Sequence, residues 1–249
     1  MNTNFRSLWM MLFIFFSMQQ AAIGQGCNLI DRYNLMHSLN IDEGLLPFLN
    51  LEVPSCSNIK LGDGYAGFIL TVDNININNG IRSEVAIGYP FTEGDTVEYR
   101  WSIMLPEVDG PGGTARQWWI IAQWHDQPDP RRGETWATFK SQSPPVAIYV
   151  EKRNDVVGIG LQGLLGKKLS WTAAPTNTWL DLTATIHWST TSSGSVRLSV
   201  ARHPEFEFIS YGKNMLNNYQ HYFKAGQYRT PEVIGNSAIY IKDIKFRTL

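Results

Sequence analysis

Alternating apolar and polar positions dominate the chain from residue 61 onward. Residues two apart in a β-strand share one face of the sheet, so alternation predicts strands with one buried face. Thr96–Leu105 alternates most regularly, and its apolar face comprises Val97, Tyr99, Trp101 and Ile103. Further predicted strands are Gly67–Val72, Arg82–Ile87, Val146–Lys152, Val156–Leu161, Trp179–Ser189, Ser195–Arg202 and Ala238–Phe246. With no amphipathic helix of useful length among them, the pattern predicts an all-β sandwich.

The stretch Trp118–Asp129 begins as a strand and ends as a polar loop. Strict alternation puts Trp119, Ile121, Gln123 and His125 on one face and Trp118, Ile120, Ala122 and Trp124 on the other. One face is apolar throughout, and the other becomes polar at Gln123 and His125. A core strand that ends in a loop explains this pattern as well as a functional site does, because polar residues are common at strand ends.

The N-terminus has the pattern of a secretory signal peptide over residues 1–24. Arg6 supplies the positive charge, Leu8–Phe16 forms a short apolar core, and Ala22–Gly24 offers small residues for cleavage. The apolar core is too short to span a bilayer, which disfavours an uncleaved anchor. We therefore expect a secreted, extracellular or periplasmic protein with no membrane contact after cleavage.

The remaining chain divides into an irregular segment, residues 25–60, and one β domain, residues 61–249. A short helix around Asp31–Leu39 is the only regular element expected in the first segment, and Asp109–Gly113 is expected to form a loop in the second. The domain should be a jelly-roll sandwich with one concave face, and we expect a monomer.

Composition narrows the function. The net charge of −1 argues against nucleic acid as a partner. The chain has nine tryptophans, and aromatic rings either fill cores or stack on sugars. Its two cysteines, Cys27 and Cys56, are expected to pair in an exported protein, closing a loop that stabilises the fold by roughly 3 kcal/mol. Two cysteines cannot form a zinc site unaided.

Three segments carry polar side chains on one strand face each. They are Arg82 with Glu84, Gln123 with His125, and Tyr222 with Lys224 and Tyr228. The carboxylates do not cluster as two-carboxylate glycoside hydrolysis requires, and neither a nucleophile elbow nor a nucleotide-binding loop is present. A groove with these cationic and titratable groups suits β-elimination on a uronic acid.

Elimination has three requirements: neutralising the uronate carboxylate, removing the C5 proton and protonating the leaving O4. Gln123 and Arg82 can bind the carboxylate, and Tyr228 can protonate O4. The base is either His125 or Tyr228, and we expect Lys224 to favour the Tyr228 phenolate. None of these steps requires a cofactor.

These segments resemble the heparin lyase I-like polysaccharide lyases, a β-jelly-roll group related to glucuronan lyases and more distantly to alginate lyases. The motifs that carry the resemblance are Arg82–Glu84, Gln123–Asp129, Ser143–Pro145 and Tyr222–Arg229. The resemblance implies catalytic roles for His125, Tyr228 and Lys224, and substrate binding by Arg82, Glu84, Gln123, Trp124, Tyr222 and Arg229. Some relatives have a histidine just before the Arg-x-Glu strand, where this chain has Asn79–Ile81.

Two function classes stay open at this point: an exported lyase, and a jelly roll that binds carbohydrate without catalysis. Together, His125, Lys224 and Tyr228 favour the lyase, because binding alone needs neither a base nor an acid. Few basic residues cluster in the sequence, so the expected substrate is an acidic polysaccharide with little sulfate, such as a glucuronan. A structural calcium ion near Asp126–Asp129 is left open, since no full ligand set is legible.

Overall fold

The computed structural model describes residues 27, 29–77, 80–106, 118–140, 142–233 and 235–249. The predicted signal peptide, the predicted loop Asp109–Gly113 and the position Asn79 lie outside the described residues. Among the described residues, no helix combines the length and the apolar character needed to cross a membrane.

One α-helix precedes fourteen strands in the described part of the chain. The elements are α1 (Leu29–Ser38), β1 (Leu49–Glu52), β2 (Ile59–Gly62), β3 (Tyr65–Leu70), β4 (Ile81–Ile87), β5 (Thr96–Met104), β6 (Trp119–His125), β7 (Val146–Arg153), β8 (Val156–Gln162), β9 (Thr172–Ala173), β10 (Trp179–His187), β11 (Ser195–Val200), β12 (His203–Tyr211), β13 (Tyr222–Arg229) and β14 (Ser237–Thr248). Short 3-10 helices span Glu43–Phe48, Cys56–Asn58, Pro130–Arg132 and Leu164–Gly166.

The strands form two seven-stranded sheets, and every strand pairing is antiparallel. The front sheet has the order β1-β4-β13-β6-β7-β8-β9, and the back sheet has the order β12-β11-β10-β5-β14-β3-β2. Half of the twelve pairings join strands that are not consecutive in sequence, such as β4 with β13 and β5 with β14, as expected for a jelly roll. The predicted all-β sandwich is confirmed.

The core lies between the sheets and is rich in aromatic rings. Tyr99 and Trp101 of β5 face inward, as the alternation of that strand predicted, and each is at most 2% exposed. Their rings contact Trp124 of β6 and Phe223 of β13, with centroids 5.2–6.0 Å apart. Tilted and edge-on rings at such distances add to the large apolar area that they bury. The apolar face of β5, a strand of the back sheet, therefore packs against the middle strands β6 and β13 of the front sheet.

Most predicted strands are present within two or three residues of their expected ends, and the short helix near Asp31–Leu39 is present as α1. The prediction was wrong for residues 49–60, which were expected to be irregular and instead contain β1 and the start of β2. The predictions also missed β9 and β12. A strand of four residues, such as β1, contains too few positions for alternation to be recognised.

The predicted faces of β6 were wrong in its first half. An extra residue between Ile120 and Ala122 shifts the register with β7, as in a β-bulge. Trp119 therefore faces the core together with Trp124, although strict alternation predicted opposite faces. By the same reversal, the half-exposed Trp118 lies on the polar face.

The disulfide between Cys27 and Cys56 is present, and no cysteine is left free. It links the start of the described N-terminal segment to the turn before β2. The predicted pairing is thus confirmed.

Gly226 occupies a strained position in β13, with φ of +136°. A Cβ there would lie 2.3 Å from the carbonyl oxygen of Ser83 and 2.7 Å from Cα of Glu84, both backbone atoms of β4. The Gly226→Ala variant should therefore lose roughly 2–5 kcal/mol of unfolding free energy, from backbone strain together with overpacking. Gly64→Ala is the matched control, because Gly64 also has positive φ, +71°, but open space around it. Urea denaturation should give that control a loss of only about 1 kcal/mol, and equal losses in the two variants would contradict the packing argument.

Candidate active site

The three polar segments lie on adjacent strands of the front sheet, because β13 pairs with β4 on one side and with β6 on the other. The directly opposed pairs are Tyr228 with Arg82, Lys224 with Gln123, and Tyr222 with His125. Opposed side chains project from the same face of a sheet. The structure thus brings the sequence-predicted polar residues of these strands onto one continuous face.

Four charged side chains form a buried network at the middle of this face. The carboxylate of Glu52 lies 2.6 Å from Lys224 Nζ through one oxygen and 2.7 Å from Arg82 Nη1 through the other. Glu84 lies 3.4 Å from Arg82 Nη1, and its other oxygen accepts a hydrogen bond of 2.6 Å from Gln123 Nε2. These four residues and Gln123 are each at most 5% exposed. Two cations and two carboxylates balance, so the network carries no net charge.

Glu52 was not among the site residues predicted from the sequence. It lies on β1, in the segment expected to be irregular, and its partner in the sheet is Glu84. Two carboxylates directly opposite each other repel, and the cations of Arg82 and Lys224 offset this repulsion. No local signal marks Glu52 in the sequence, because its partners lie 30 or more positions further along the chain.

The network sets the protonation of its members. Burial alone would raise the pKa of Glu52, but attraction and hydrogen bonding from Lys224 and Arg82 outweigh it and lower that pKa from 4.5 to about 2. Burial works against the charged form of Arg82 too, yet Glu84 and Glu52 raise the pKa of the guanidinium above its usual value. Both groups are therefore charged at neutral pH.

Tyr228 lies at one end of the network, and Arg82 is the cation beside it. The guanidinium carbon of Arg82 is 3.9 Å from the centre of the phenol ring. The same ring meets Trp118 edge-on and packs beside Gly80. Burial raises the pKa of Tyr228, against the opposing effect of Arg82. The expectation that Lys224 favours a phenolate here was wrong, because Lys224 lies four positions away on β13 and is paired with Glu52.

His125 lies at the other end of the face. Its Nδ1 is 2.8 Å from the backbone oxygen of Asp126 and 3.0 Å from that residue's Oδ1, and its ring lies 5.8 Å from that of Tyr222. A second histidine, His221, is buried nearby and was not considered in the sequence analysis. Burial lowers the pKa of His221 to about 4, so this imidazole is neutral at neutral pH.

Two predicted substrate-binding residues lie away from the polar face. Trp124 is 1% exposed and packs in the core, because it points to the opposite side of β6 from its neighbours Gln123 and His125. Arg229 is also 1% exposed, alternates with Tyr228 along β13, and donates a hydrogen bond of 2.7 Å to the carbonyl oxygen of Gly235. Both predictions of substrate contact are therefore corrected. Trp118, which the bulge turns outward, is the tryptophan of this strand that lies on the polar face.

The loop after β6, where the sequence left a calcium site open, uses its aspartates differently. Asp129 accepts hydrogen bonds of 2.8 Å from both Nε and Nη2 of Arg131, while Asp126 contacts His125. Among the residues that the structure describes, three side-chain ligands gather only at Cys27, Asp31 and Cys56, where the disulfide takes both sulfur atoms. No group of three such ligands forms around this loop in that part of the chain.

The arrangement combines what an elimination at a uronate requires. Hydrogen-bond donors and cations lie in the buried layer of the face, where charge interactions are stronger than in water. Above them, His125, Tyr222 and Tyr228 are partly exposed and titratable. A site of this kind can stabilise a developing negative charge and move protons at its two ends.

Comparison with solved structures shows the same fold in carbohydrate-active proteins. An endo-β-1,4-glucuronan lyase from the fungus Trichoderma reesei is similar at a TM-score of 0.54 and 12% identity, over 81% of this chain and 87% of that chain. Alginate lyase Aly36B is similar at 0.51 and 12%, over 80% and 86%. The catalytic domain of a glycoside hydrolase family 131 protein from Coprinopsis cinerea is similar at 0.51 and 12%, over 80% and 77%. At such identities the likeness concerns the fold alone.

The sequence itself identifies the family. No curated protein matches the chain, but a family model described as polysaccharide lyase matches residues 52–245, which include the strands of the polar face. The match begins at Glu52, the residue that completes the buried network. The chain belongs to the polysaccharide lyase family.

Proposed function

We propose that this lyase is exported and cleaves a 1,4-linked polyuronate of low sulfate content by β-elimination, leaving a 4,5-unsaturated uronate at the new non-reducing end. The observation that carries the proposal is the convergence of Arg82, Lys224 and Gln123 on one sheet face between His125 and Tyr228. Membership of a lyase family favours this activity over the alternative of a jelly roll that only binds carbohydrate. The disulfide fits an extracellular location.

The carboxylate of Glu84 indicates how the donors would act on a substrate. Arg82 and Gln123 approach opposite oxygens of this one carboxylate, at 3.4 Å and 2.6 Å, so they are spaced to act on a single anionic group. We propose that they neutralise the uronate carboxylate of the substrate as negative charge develops on it, with Lys224 as a further cation. Gln123 Oε1 is buried and has no hydrogen-bond partner among the described residues.

The proton transfers are assigned to the two ends of the network. His125 is the proposed base for the C5 proton, and Tyr228 is the proposed acid for O4, since its raised pKa keeps the phenol protonated. Five positions of β6 separate His125 from the partner of Tyr228, which is about 17 Å along an extended strand. Because the C5 proton and O4 belong to neighbouring atoms of one sugar ring, both side chains would have to converge on that ring, and Tyr222, which lies directly opposite His125, is the second candidate for the acid.

The charge balance of the network supports a substrate with little sulfate. Arg82 and Lys224 are each matched by a buried carboxylate, so the face offers no surplus of positive charge to a densely sulfated chain. A uronate without sulfate presents a single carboxylate, which Arg82 and Gln123 would neutralise locally. We therefore propose a glucuronan-like polymer as the substrate.

A panel of polyuronates tests the activity directly. Glucuronan and alginate, the polymers named for two structural neighbours, are compared with heparin as the sulfated arm, with and without a calcium chelator. We expect ultraviolet absorbance from the unsaturated product on an unsulfated polymer and much less on heparin. Binding to polyuronates without any unsaturated product across the panel would support the binding protein instead.

Removal of single hydroxyls tests the proposed acid. Tyr228→Phe should lower kcat by about 10²–10⁴-fold, because the proton donor for O4 is lost while the ring still packs against Trp118. Tyr222→Phe is the matched comparison, since it removes the hydroxyl that lies across the sheet from His125. We expect the smaller loss there. If Tyr222→Phe abolishes turnover and Tyr228→Phe does not, Tyr222 is the acid.

The buried network should make stability depend on pH. The folded-state pKa of Glu52, about 2, lies below its ordinary value of 4.5. The ionised Glu52 therefore stabilises the fold fully above pH 4.5, and this stabilisation is lost as the pH falls towards 2. The shift in pKa corresponds to roughly 3 kcal/mol of unfolding free energy. Glu52→Gln should be less stable than the native protein at neutral pH, with the difference narrowing across this window.

Urea unfolding at a series of pH values measures this difference. Glu207→Gln serves as the control, because Glu207 belongs to an exposed ion pair with Arg197 on the back sheet and should change stability little at any pH. Parallel stability curves for Glu52→Gln and the native protein would show that Glu52 is not held ionised by the network.

A further inference from the structure

The carboxylate of Asp126 is buried directly behind His125. Asp126 is 0% exposed, whereas the His125 side chain is 14% exposed at the end of β6. Asp126 Oδ1 lies 3.0 Å from His125 Nδ1, but neither carboxylate oxygen has a hydrogen-bond partner among the described residues, because Nδ1 makes its hydrogen bond with the backbone oxygen of Asp126, 2.8 Å away. A buried carboxylate without donors is costly, and the imidazole of His125 is the ionisable group within ion-pair distance of this one.

The neighbouring histidine cannot take this role. His221 Nδ1 donates to the carbonyl oxygen of Tyr219 at 3.0 Å, and its Nε2 accepts the backbone N–H of Leu216 at 3.4 Å. Both nitrogens are thus engaged, and the ring is neutral in its buried position. The titratable groups that face His125 are then Asp126 from the loop, His221 from the segment before β13, and Tyr222 from β13 itself.

We propose that Asp126 is a positioning residue for the base, an inference that rests on the function proposed above. Its carboxylate and its backbone oxygen both attract Nδ1–H, at 3.0 and 2.8 Å, which keeps the proton on Nδ1 and leaves the lone pair of Nε2 for the substrate. The negative charge also stabilises the imidazolium that forms during the reaction.

The proposed elimination moves two protons and breaks one carbon–oxygen bond. Nε2 takes the C5 proton, the electrons of the C5–H bond form the C4–C5 double bond, and the C4–O4 bond breaks. The leaving O4 receives the proton of the tyrosine, and solvent returns a proton from the imidazolium to the phenolate. No redox partner takes part, and Asp126 neither gives nor takes a proton in this step.

Nitrogen-15 NMR of the native protein without substrate tests the geometry. A long-range proton–nitrogen spectrum should show His125 protonated on Nδ1 and bare on Nε2 at neutral pH. A proton on Nε2 instead would overturn the proposal. This measurement needs no turnover, so it stays decisive even if the substrate panel yields no unsaturated product and the proposed function fails.

Asp126→Asn tests the charge, because it keeps the shape of the side chain. The variant should protonate His125 at lower pH, move the acidic limb of the kcat/KM profile in the same direction, and lower kcat by roughly 10- to 10³-fold with little change in KM. Asp129→Asn is the matched control: Asp129 is equally buried in the same loop, but it holds Arg131 rather than His125. It should leave the His125 titration and the pH profile unchanged.

The two variants separate positioning from a structural role. If folded Asp126→Asn titrates and turns over like the native protein, Asp126 does not position the base. If Asp129→Asn causes the same shifts, the effect belongs to the loop as a whole, and the proposal fails. Should Asp126→Asn not fold, the NMR spectrum of the native protein still decides.

Discussion

The bridge that Glu52 makes between Arg82 and Lys224 is the interaction on which the polar face depends. Taking these charges out of water costs several kcal/mol for each ion, and only close pairing offsets that cost. Glu52 approaches both cations within 2.7 Å and so ties β1 to β4 and β13 across the sheet. Without it, Glu84 alone would face two buried cations.

The same bridge distinguishes the closed centre of the face from its two partly exposed ends. A balanced network that is closed to water has little freedom to rearrange, so it holds Gln123 and Arg82 at fixed positions. His125 and Tyr228 lie outside the network and keep partial access to solvent. Proton transfer requires that access, whereas preorganised charge stabilisation is strongest where water is excluded.

Alternation in the sequence was sufficient to predict the sandwich and the polar face, because most strands are long enough to display a period of two. Thr96–Leu105 is the clearest case, and the faces of Gln123 and Lys224 follow from the same rule. The prediction was wrong for Trp118 and Trp119, since one extra residue in β6 inverts the alternation. A bulge depends on the pairing with neighbouring strands, which the sequence of one strand does not contain.

Glu52 illustrates a different limit. Its strand has four residues, and its role arises from charges on β4 and β13, so no window of the sequence around it contains the information. Asp126 was visible in the sequence beside His125, but its burial could not be read from the sequence, because a polar residue after a strand usually faces water.

The carboxylates of Glu52 and Asp126 differ in the groups that compensate them. Glu52 has two permanent cations as partners, so its charge is fully compensated and fixes structure. Asp126 has as its partner a single imidazole, which is neutral until it takes a proton. The negative charge of Asp126 is only partly compensated while the imidazole of His125 is neutral, and it is fully compensated when that imidazole carries a second proton. In the proposed mechanism, the attraction between this pair strengthens as His125 takes the C5 proton, so it stabilises the transition state more than the ground state.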